Sequence, residues 1–321
     1  MTVLLMIIGL ALLLVGANYL TEGSSAVAKR FGISEFVIGL TIIAIGTSAP
    51  ELVISLISTI NGKTDMAIGN VLGSNTFNTL MILGITALIR PIRIEHNTLS
   101  RDIPFGLLAA VVLAICGLDI WLNGESGSIS RSEGLLLLCF FVVFMVYSFA
   151  TAKRDESPET QQTTEKTPEK KHPIWIELLM IAGGLAGLIY GGDLFLEYAV
   201  IFARDMGMSE AVIAVTLMAG GTSMPELITC VIAAAKNKGQ LALGNVIGSN
   251  ISNIFLILGT CATVSPLQMG DILPLDLVIL VAASLIIAIT AFTFRRNELD
   301  RAEGAIFVLL YIAYIVSLLM R

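Results

Sequence analysis

Charged side chains are scarce in this chain: Asp, Glu, Lys and Arg together make up 14% of its 321 residues. Histidine occurs twice and cysteine four times, with no CxxC spacing and no HExxH motif. These absences argue against the common zinc and dithiol redox sites. A net charge of -6 and a pI near 5.0 leave no basic face for nucleic acid.

Hydrophobic residues are abundant instead, at 55% of the chain with a mean hydropathy of +0.87, which is typical of an integral membrane protein. Ten apolar runs are long enough to cross a hydrocarbon layer as helices. They lie near residues 3–20, 36–60, 66–89, 104–122, 134–151, 174–200, 211–235, 241–264, 274–294 and 304–320. Because they lack the alternation of barrel strands, we predict an all-α protein with ten transmembrane helices.

The cysteines and histidines have ordinary interpretations in this scheme. The four cysteines are predicted to be apolar core or lipid-facing residues rather than disulfides or metal ligands, at Cys116, Cys139, Cys230 and Cys261. His96 and His172 fall in polar connections and are interpreted as loop residues rather than proton relays. The first apolar run lacks a basic preceding segment and a cleavage pattern, so we expect it in the mature protein.

Lys and Arg are unevenly distributed between alternate loops. With the N-terminus outside, the inward loops carry 15 of these residues and the outward loops, with the C-terminus, carry four. The positive-inside rule therefore predicts that both termini are extracytoplasmic and that the central polar linker is cytoplasmic. With neither a sorting signal nor a regulatory loop in the sequence, a prokaryotic plasma (inner) membrane is the expected location.

The sequence contains an internal duplication. Residues 32–91 align without a gap to residues 207–266, with 28 of 60 positions identical. Each half is predicted to have five spans, an odd number, so the second half enters the membrane upside down, as in many secondary transporters. The predicted organisation is a five-helix repeat at residues 1–151, a solvated cytoplasmic linker at 152–173 and an inverted repeat at 174–321.

One duplicated motif places an acidic residue inside an apolar run: GTSAPE ends at Glu51, and GTSMPE ends at Glu226. A carboxylate at the bilayer centre costs about 2.5 to 3.5 kcal/mol, so a pair of them predicts a bound cation and hence a membrane ion transporter. Proline removes a helical hydrogen bond from the carbonyl four residues earlier. We therefore predict a helix break at Gly46 and Pro50 and another at Gly221 and Pro225.

Oxygen-bearing side chains cluster at each break, where Thr47 and Ser48 precede one glutamate and Thr222 and Ser223 precede the other. Hydroxyl, carbonyl and carboxylate oxygens are the ligands that hard cations such as Ca2+ take. A proline kink with a hydrogen-bonded glutamate is the alternative for one copy alone. Its repetition at equivalent positions favours an ion site.

A second duplicated motif reads GNVLGSNTFN at residues 69–78 and GNVIGSNISN at residues 244–253. Ser74 and Asn78 are four residues apart and therefore share a helix face, as do Ser249 and Asn253. The glycines are interpreted as helix-packing positions, because small-xxx-small spacing by itself indicates only close packing. The Ser and Asn oxygens are interpreted as lining of the ion site.

Together these motifs, each present twice, resemble the paired alpha repeats of the sodium/calcium exchanger family in the cation/calcium exchanger superfamily. The resemblance implies ten helices in a 5+5 inverted-topology repeat, with helices 2, 3, 7 and 8 around the ions and helices 1 and 6 sliding across this core. It implies a metal site formed by Thr47, Ser48, Glu51, Ser74, Asn78, Thr222, Ser223, Glu226, Ser249 and Asn253, with the backbone carbonyls of Ala44 and Ala219.

The function implied is Na+/Ca2+ antiport by alternating access, with Ca2+ and Na+ as transported ions, no cofactor and no enzymatic activity. Many family members carry Asp where this chain has Asn253, so the predicted site holds two carboxylates rather than three. The family's stoichiometry of three Na+ per Ca2+ is therefore left open, as are K+ co-transport and protons in place of Na+. A cation channel and an intramembrane acid/base enzyme are the rivals from other classes.

Other acidic residues are given no ion-binding role. Asp193 and Glu197, matched by Asn18 and Glu22 in the first half, are expected near helix ends, in contact with water rather than ions. Glu35 and Glu210 follow Gly-x-Ser at the start of a predicted span. There they are expected to stabilise a helix N-terminus that the serine caps.

Overall fold

The computed structural model describes residues 1–118, 127–152, 173–208, 219–270, 272–293 and 298–320. Nearly all of the linker predicted at residues 152–173, and Glu210 and His172, lie outside these ranges. The described chain is almost entirely helical, as the apolar runs predicted. Its helices are α1 Thr2–Phe31, α2 Glu35–Thr47, α3 Ala49–Ile60, α4 Thr64–Ile89, α5 Thr98–Gly117, α6 Arg131–Thr151, α7 Ile174–Asp205, α8 Met224–Ala235, α9 Gly239–Val264, α10 Pro274–Thr293 and α11 Arg301–Leu319.

Seven of these helices are long and apolar enough to cross a membrane, and α2 and α3 together would make an eighth span, bent by 43°. The shorter apolar helices α8 and α10 complete the described set. The structure thus confirms a membrane-type helical bundle. Helix α1 continues to Phe31 and α7 to Asp205, well beyond the predicted ends of these spans.

This greater length corrects one prediction. Asn18 and Glu22 lie inside α1, and Asp193 and Glu197 lie inside α7, rather than near helix ends. The expected helix cap before α2 is present, because the Ser34 side chain accepts a hydrogen bond from the Val37 backbone N–H at 3.3 Å.

Helices α4 and α9 form the centre of the bundle. In their most apolar windows 72% and 89% of the residues are buried, against 28% in α1 and in α7. Helix α2 packs on α9, α3 on α4 and α8 on α9, while α5, α6, α10 and α11 surround this core. The second duplicated motif, at residues 69–78 and 244–253, therefore lies on the most buried helices.

The two central helices run antiparallel. Near the start of α9, the Gln240 side chain donates to the Arg93 carbonyl, just after the end of α4, at 2.6 Å. At the other end, the Gln268 N–H donates to Thr64 Oγ1, at the start of α4, at 3.1 Å. Equivalent helices of the two halves thus have opposite directions, as the inverted duplication predicts.

Two short antiparallel strand pairs fasten the loops at these ends. Strand β1 (Ile92–Arg93) pairs with β4 (Glu298–Leu299), and β2 (Ser128–Ile129) pairs with β3 (Leu267–Gln268). Each pair joins a loop of the first half to a loop of the second. The halves are therefore connected outside the helical core as well as within it.

Helices α1 and α7 form a long antiparallel pair on one side of the core. Glycines allow their backbones to meet: a Cβ on Gly16 would lie 2.8 Å from the Gly184 carbonyl oxygen. At one end, Arg30 of α1 forms two hydrogen bonds to Glu177 of α7, at 2.7 and 2.8 Å. The pair is thus held together along its length and at one terminus.

Candidate functional site

Both predicted helix breaks are present. Helix α2 ends at Thr47, Ser48 leaves the helical conformation with ψ 8°, and Pro50 lies in the first turn of α3. In the second half, a helical turn at Ala219–Gly221 stops before α8, where Pro225 occupies the same position. Proline suits this position because a first-turn N–H has no helical acceptor. Each glutamate therefore lies in the first turn after its break.

The two glutamates meet between the halves. Ser48 Oγ donates to Glu226 Oε1 at 3.1 Å, and Ser223 Oγ donates to Glu51 Oε1 at 3.1 Å. Each carboxylate is thus bonded by the serine of the other repeat. Both glutamates are fully buried, and they are close enough to interact electrostatically.

Threonine and serine hydroxyls surround the carboxylates. Thr222 also lies near Glu51, and Thr47 and Ser249 lie near Glu226. Ser74 Oγ and Thr222 Oγ1 are 3.5 Å apart, so hydroxyls of the two halves meet here too. The structure therefore brings together hydroxyls from all four motif copies around the glutamate pair.

The predicted asparagines lie just beyond, where both central helices change their winding. A π-helical turn runs over Phe77–Ile82 in α4 and another over Asn253–Leu258 in α9, and such turns are frequent at functional sites. Asn78 and Asn253 are fully buried. Asn253 Nδ2 donates to Asn75 Oδ1 at 2.9 Å.

Several buried oxygens of this cluster have no hydrogen-bond partner among the described residues. They are Glu51 Oε2, Glu226 Oε2, Asn78 Oδ1 and Asn253 Oδ1. An unpartnered carboxylate oxygen in a protein interior is costly, since burial removes its hydration without replacing it. Oxygens in this condition suit a dehydrated cation, which takes several oxygen ligands.

The two predicted backbone ligands are the carbonyls of Ala44 and Ala219, and the structure shows hydrogen bonds to the first of them. The Ala44 carbonyl accepts the Ser48 N–H at 3.1 Å and Ser249 Oγ at 3.4 Å, so it is already engaged in this state. Ala219 begins the helical turn before the second break. The glycines of the breaks are packing positions, since a Cβ on Gly46 would lie 2.6 Å from a Leu185 side-chain carbon.

Three asparagines of the duplicated motif, whose oxygens were interpreted as lining of the ion site, join the helices. Asn75 Nδ2 donates to the Asn250 carbonyl at 3.0 Å, and Asn250 Nδ2 donates to Thr79 Oγ1 at 2.8 Å, connecting α4 to α9. Asn245 Oδ1 accepts a hydrogen bond from Thr47 Oγ1 at 3.3 Å. Their presence in both motif copies was the available signal, but no sequence pattern distinguishes a bridging amide from a ligand.

The chain is similar to known proteins over nearly its whole length. The family model described as sodium/calcium exchanger protein matches residues 1–150 and 176–320. The chain is 33% identical to the sodium/calcium exchanger MaX1 of Methanosarcina acetivorans, over 98% of this chain and 97% of that protein. It is also 33% identical to the inner membrane protein YrbG of Escherichia coli, over 98% and 95%.

A solved structure shares the whole fold. The sodium-calcium exchanger NCX_Mj, soaked with 2.5 mM Na+ and 0.1 mM Ca2+, superposes with a TM-score of 0.83 at 32% identity. The match covers 99% of this chain and 98% of that one. The family model and the relatives each span nearly the full length. This chain therefore belongs to the sodium/calcium exchanger protein family, a family of transporters.

Proposed function

We propose that this protein is a secondary active antiporter that exchanges Na+ for Ca2+ across the membrane. Membership of the exchanger family supports exchange of a cation for Ca2+. The observation that carries the proposal is the buried pair Glu51 and Glu226. Each is bonded by the other repeat's serine, and each has one oxygen without a partner in the part of the chain that the structure describes. A single oxygen-lined site between two inverted halves suits alternating access.

The proposed ligand set is the one predicted from the sequence: the glutamates with the hydroxyls of Thr47, Ser48, Ser74, Thr222, Ser223 and Ser249, the amide oxygens of Asn78 and Asn253, and the carbonyls of Ala44 and Ala219. Two carboxylates neutralise one Ca2+ or two Na+. The ions then compete for the same oxygens, so that release of one permits capture of the other. This competition couples the two fluxes.

The proposed architecture is ten spans in a 5+5 inverted repeat, with units 1–151 and 174–321 joined by a cytoplasmic linker at 152–173. The antiparallel course of α4 and α9 supports it. Both termini are proposed to be extracytoplasmic, on the basis of the loop charges. The membrane proposed is the plasma (inner) membrane of a prokaryote.

The exchange is tested in proteoliposomes loaded with Na+ and diluted into Na+-free medium containing radioactive Ca2+. We expect uptake that rises with the outward Na+ gradient and does not need K+. If a pH gradient drives uptake and a Na+ gradient does not, the protein is a Ca2+/H+ antiporter instead. A requirement for K+ on one side would establish K+-dependent exchange.

The crossed serines give a second prediction. Ser48→Ala and Ser223→Ala are each expected to weaken the apparent affinity for Ca2+ by about tenfold, because a hydrogen bond to a charged group contributes about 1.5–3 kcal/mol. The two effects should match, since both hydroxyl contacts to the opposite glutamate measure 3.1 Å. The measurement is the Ca2+ dependence of initial uptake.

Ser58→Ala is the matched control, because Ser58 lies on α3 two turns after Glu51. We expect it to change the affinity by less than about twofold. Equal effects of all three substitutions would contradict the assignment of Ser48 and Ser223 to the ion site.

A further inference from the structure

Two lysines hold α1 against the loop between α8 and α9. Lys236 Nζ donates to Glu22 Oε1 at 2.6 Å and to Asn18 Oδ1, and Lys238 Nζ donates to Ser25 Oγ at 2.7 Å. We call these contacts the first latch. Burial lowers the pKa of the Lys238 ammonium. The nearby carboxylates of Glu35 and Glu22 oppose this shift, and the Lys29 ammonium adds to it. The first latch thus joins the α1–α7 pair to the core at one end of the bundle.

The duplication places equivalent groups at the opposite end. The offset of 175 residues aligns Asn61 with Lys236 and Lys63 with Lys238, and it aligns Asp193 with Asn18 and Glu197 with Glu22. The loop 61–63 precedes Thr64, and Thr64 is the end of α4 that lies far from Arg93 and Gln240. These groups therefore mirror the Lys236 contacts of the first latch, whereas the position equivalent to Ser25 is Val200, so the Lys238–Ser25 contact has no counterpart.

The equivalent acids lie in the half of α7 that is far from the first latch. Asp193 and Glu197 follow Glu177 by 16 and 20 residues, or about 24 and 30 Å of helix, and Glu177 is the residue that Arg30 anchors near the first latch. All four groups of the mirror site are exposed, and among the described residues none of the four side chains has an ion pair or hydrogen bond: Asn61, Lys63, Asp193 and Glu197.

The helix packing differs between the two halves in the same way as the latch contacts do. Helix α1 lies along α8, whereas α7 makes very little contact with α3, the equivalent helix of the first half. Since α1 and α7 meet backbone to backbone at their glycines, they are expected to move as one body. A shift of this pair that frees α1 from α8 would bring α7 toward α3.

We propose that the first latch closes one end of the bundle in this state and that a second latch closes the other end in the opposite-facing state. In the second latch, the Asn61 amide and the Lys63 ammonium engage the carboxylates of Asp193 and Glu197. Where the first latch has the charged Lys236, the second has the neutral amide of Asn61, so the second latch is the weaker of the two. Because the first latch is the stronger, the resting protein favours the conformation seen in this structure, in which the first latch is formed. This inference rests on the proposed alternating access.

The test uses cysteine pairs in a chain whose partly exposed cysteines, Cys116 and Cys139, are replaced by alanine while buried Cys230 and Cys261 remain. Glu22→Cys with Lys236→Cys reports the first latch, and Asn61→Cys with Glu197→Cys reports the second. A short bifunctional thiol reagent is needed, because Lys and Glu side chains separate the backbones beyond the roughly 7 Å reach of a disulfide. A protease site engineered within residues 152–173 reveals a cross-link, since joined halves stay together on a gel.

We expect the first pair to cross-link fastest and the second pair more slowly. A control pair from opposite ends, Glu22→Cys with Asn61→Cys, should not cross-link. Adding Lys236→Gln should raise the rate of the second pair by about threefold to fivefold, the population shift expected from losing one partly exposed ion pair. Adding Arg90→Gln, at the same end of the bundle, should leave that rate unchanged.

The proposal is overturned if the first pair cross-links and the second does not exceed the control pair under any combination of Na+ and Ca2+. It is also overturned if Lys236→Gln leaves the rate of the second pair unchanged. Cross-linking of the first pair shows that the chain without Cys116 and Cys139 is folded, and a measurable rate of the second pair shows the same for the Lys236→Gln chain. If both latches cross-link but no Na+-driven Ca2+ uptake occurs, the proposed function fails and the two-state latch stands.

Discussion

Glu226→Gln is expected to lower Na+-driven Ca2+ uptake by about 100-fold or more, because removing one partner of a buried charge cluster costs about 3–5 kcal/mol. The substitution keeps the shape of the side chain and its contact with Ser48, but removes one of the two charges that neutralise the ion. Glu51→Gln should have an effect of the same size, since the two glutamates are equivalent by the duplication and equally buried. Initial rates in proteoliposomes measure both.

Glu35→Gln is the matched control for this pair. Glu35 lies in the first turn of α2, outside the carboxylate cluster, and follows the capping Ser34. We expect its uptake to stay within about twofold of the unmodified protein. Retention of more than half the activity by Glu226→Gln, with intact protein recovered, would refute the role of the glutamate pair.

Gly184→Val is expected to destabilise the protein by about 1–3 kcal/mol or more, as overpacking of a close helix contact does. A Cβ at this position would lie 2.6 Å from the Leu20 backbone nitrogen and 2.8 Å from the Gly16 carbonyl oxygen. Backbone atoms cannot rotate away, so α1 and α7 must separate. Thermal unfolding in detergent measures the loss, and Ca2+ uptake should fall with it.

The adjacent residue provides the control. Gly183 is exposed, and a Cβ there meets nothing within 4 Å among the described residues. Gly183→Val carries the same helix-propensity change without the clash, so we expect little change in the unfolding temperature. If both substitutions destabilise the protein equally, the close approach of α1 and α7 at Gly184 is not what stabilises the pair.

The repeated motifs show how far the sequence reaches into the site. Glu51 and Glu226 were identifiable because a carboxylate in an apolar run requires a partner, and because the same residues recur at equivalent positions. The helix breaks were identifiable because proline cannot donate a backbone hydrogen bond. Both arguments use local chemistry and need no knowledge of distant neighbours.

Local chemistry could not predict which side chains form hydrogen bonds with each other. The sequence does not say that Ser48 bonds Glu226 rather than Glu51, three residues away. Nor does it say that Asn75 joins the helices while neither amide atom of Asn78 has a hydrogen bond to a described residue. These contacts join positions 172 to 178 residues apart. They depend on how four helices pack, and every residue of the motif has the chemistry to make them.

The ends of α1 and α7 illustrate the same limit. Hydropathy placed Glu22 and Glu197 near helix termini, because charged residues usually mark the end of a span. Both helices continue, since the C-terminal part of each packs against the N-terminal part of the other and, in α1, Lys236 from 214 residues away bonds Glu22. A local average of hydropathy contains no term for such a contact.

The sequence by itself determined the membrane class, the inverted duplication and the identity of the two buried glutamates, because these follow from composition, repeated spacing and the cost of burying charge. Only the tertiary structure decided which serine bonds which glutamate, which oxygens lack partners among the described residues and which residues of α1 the two lysines contact. The physical reason is that these contacts depend on packing between segments far apart in the sequence, whereas the local chemistry of the nearly identical motifs does not distinguish one partner from another.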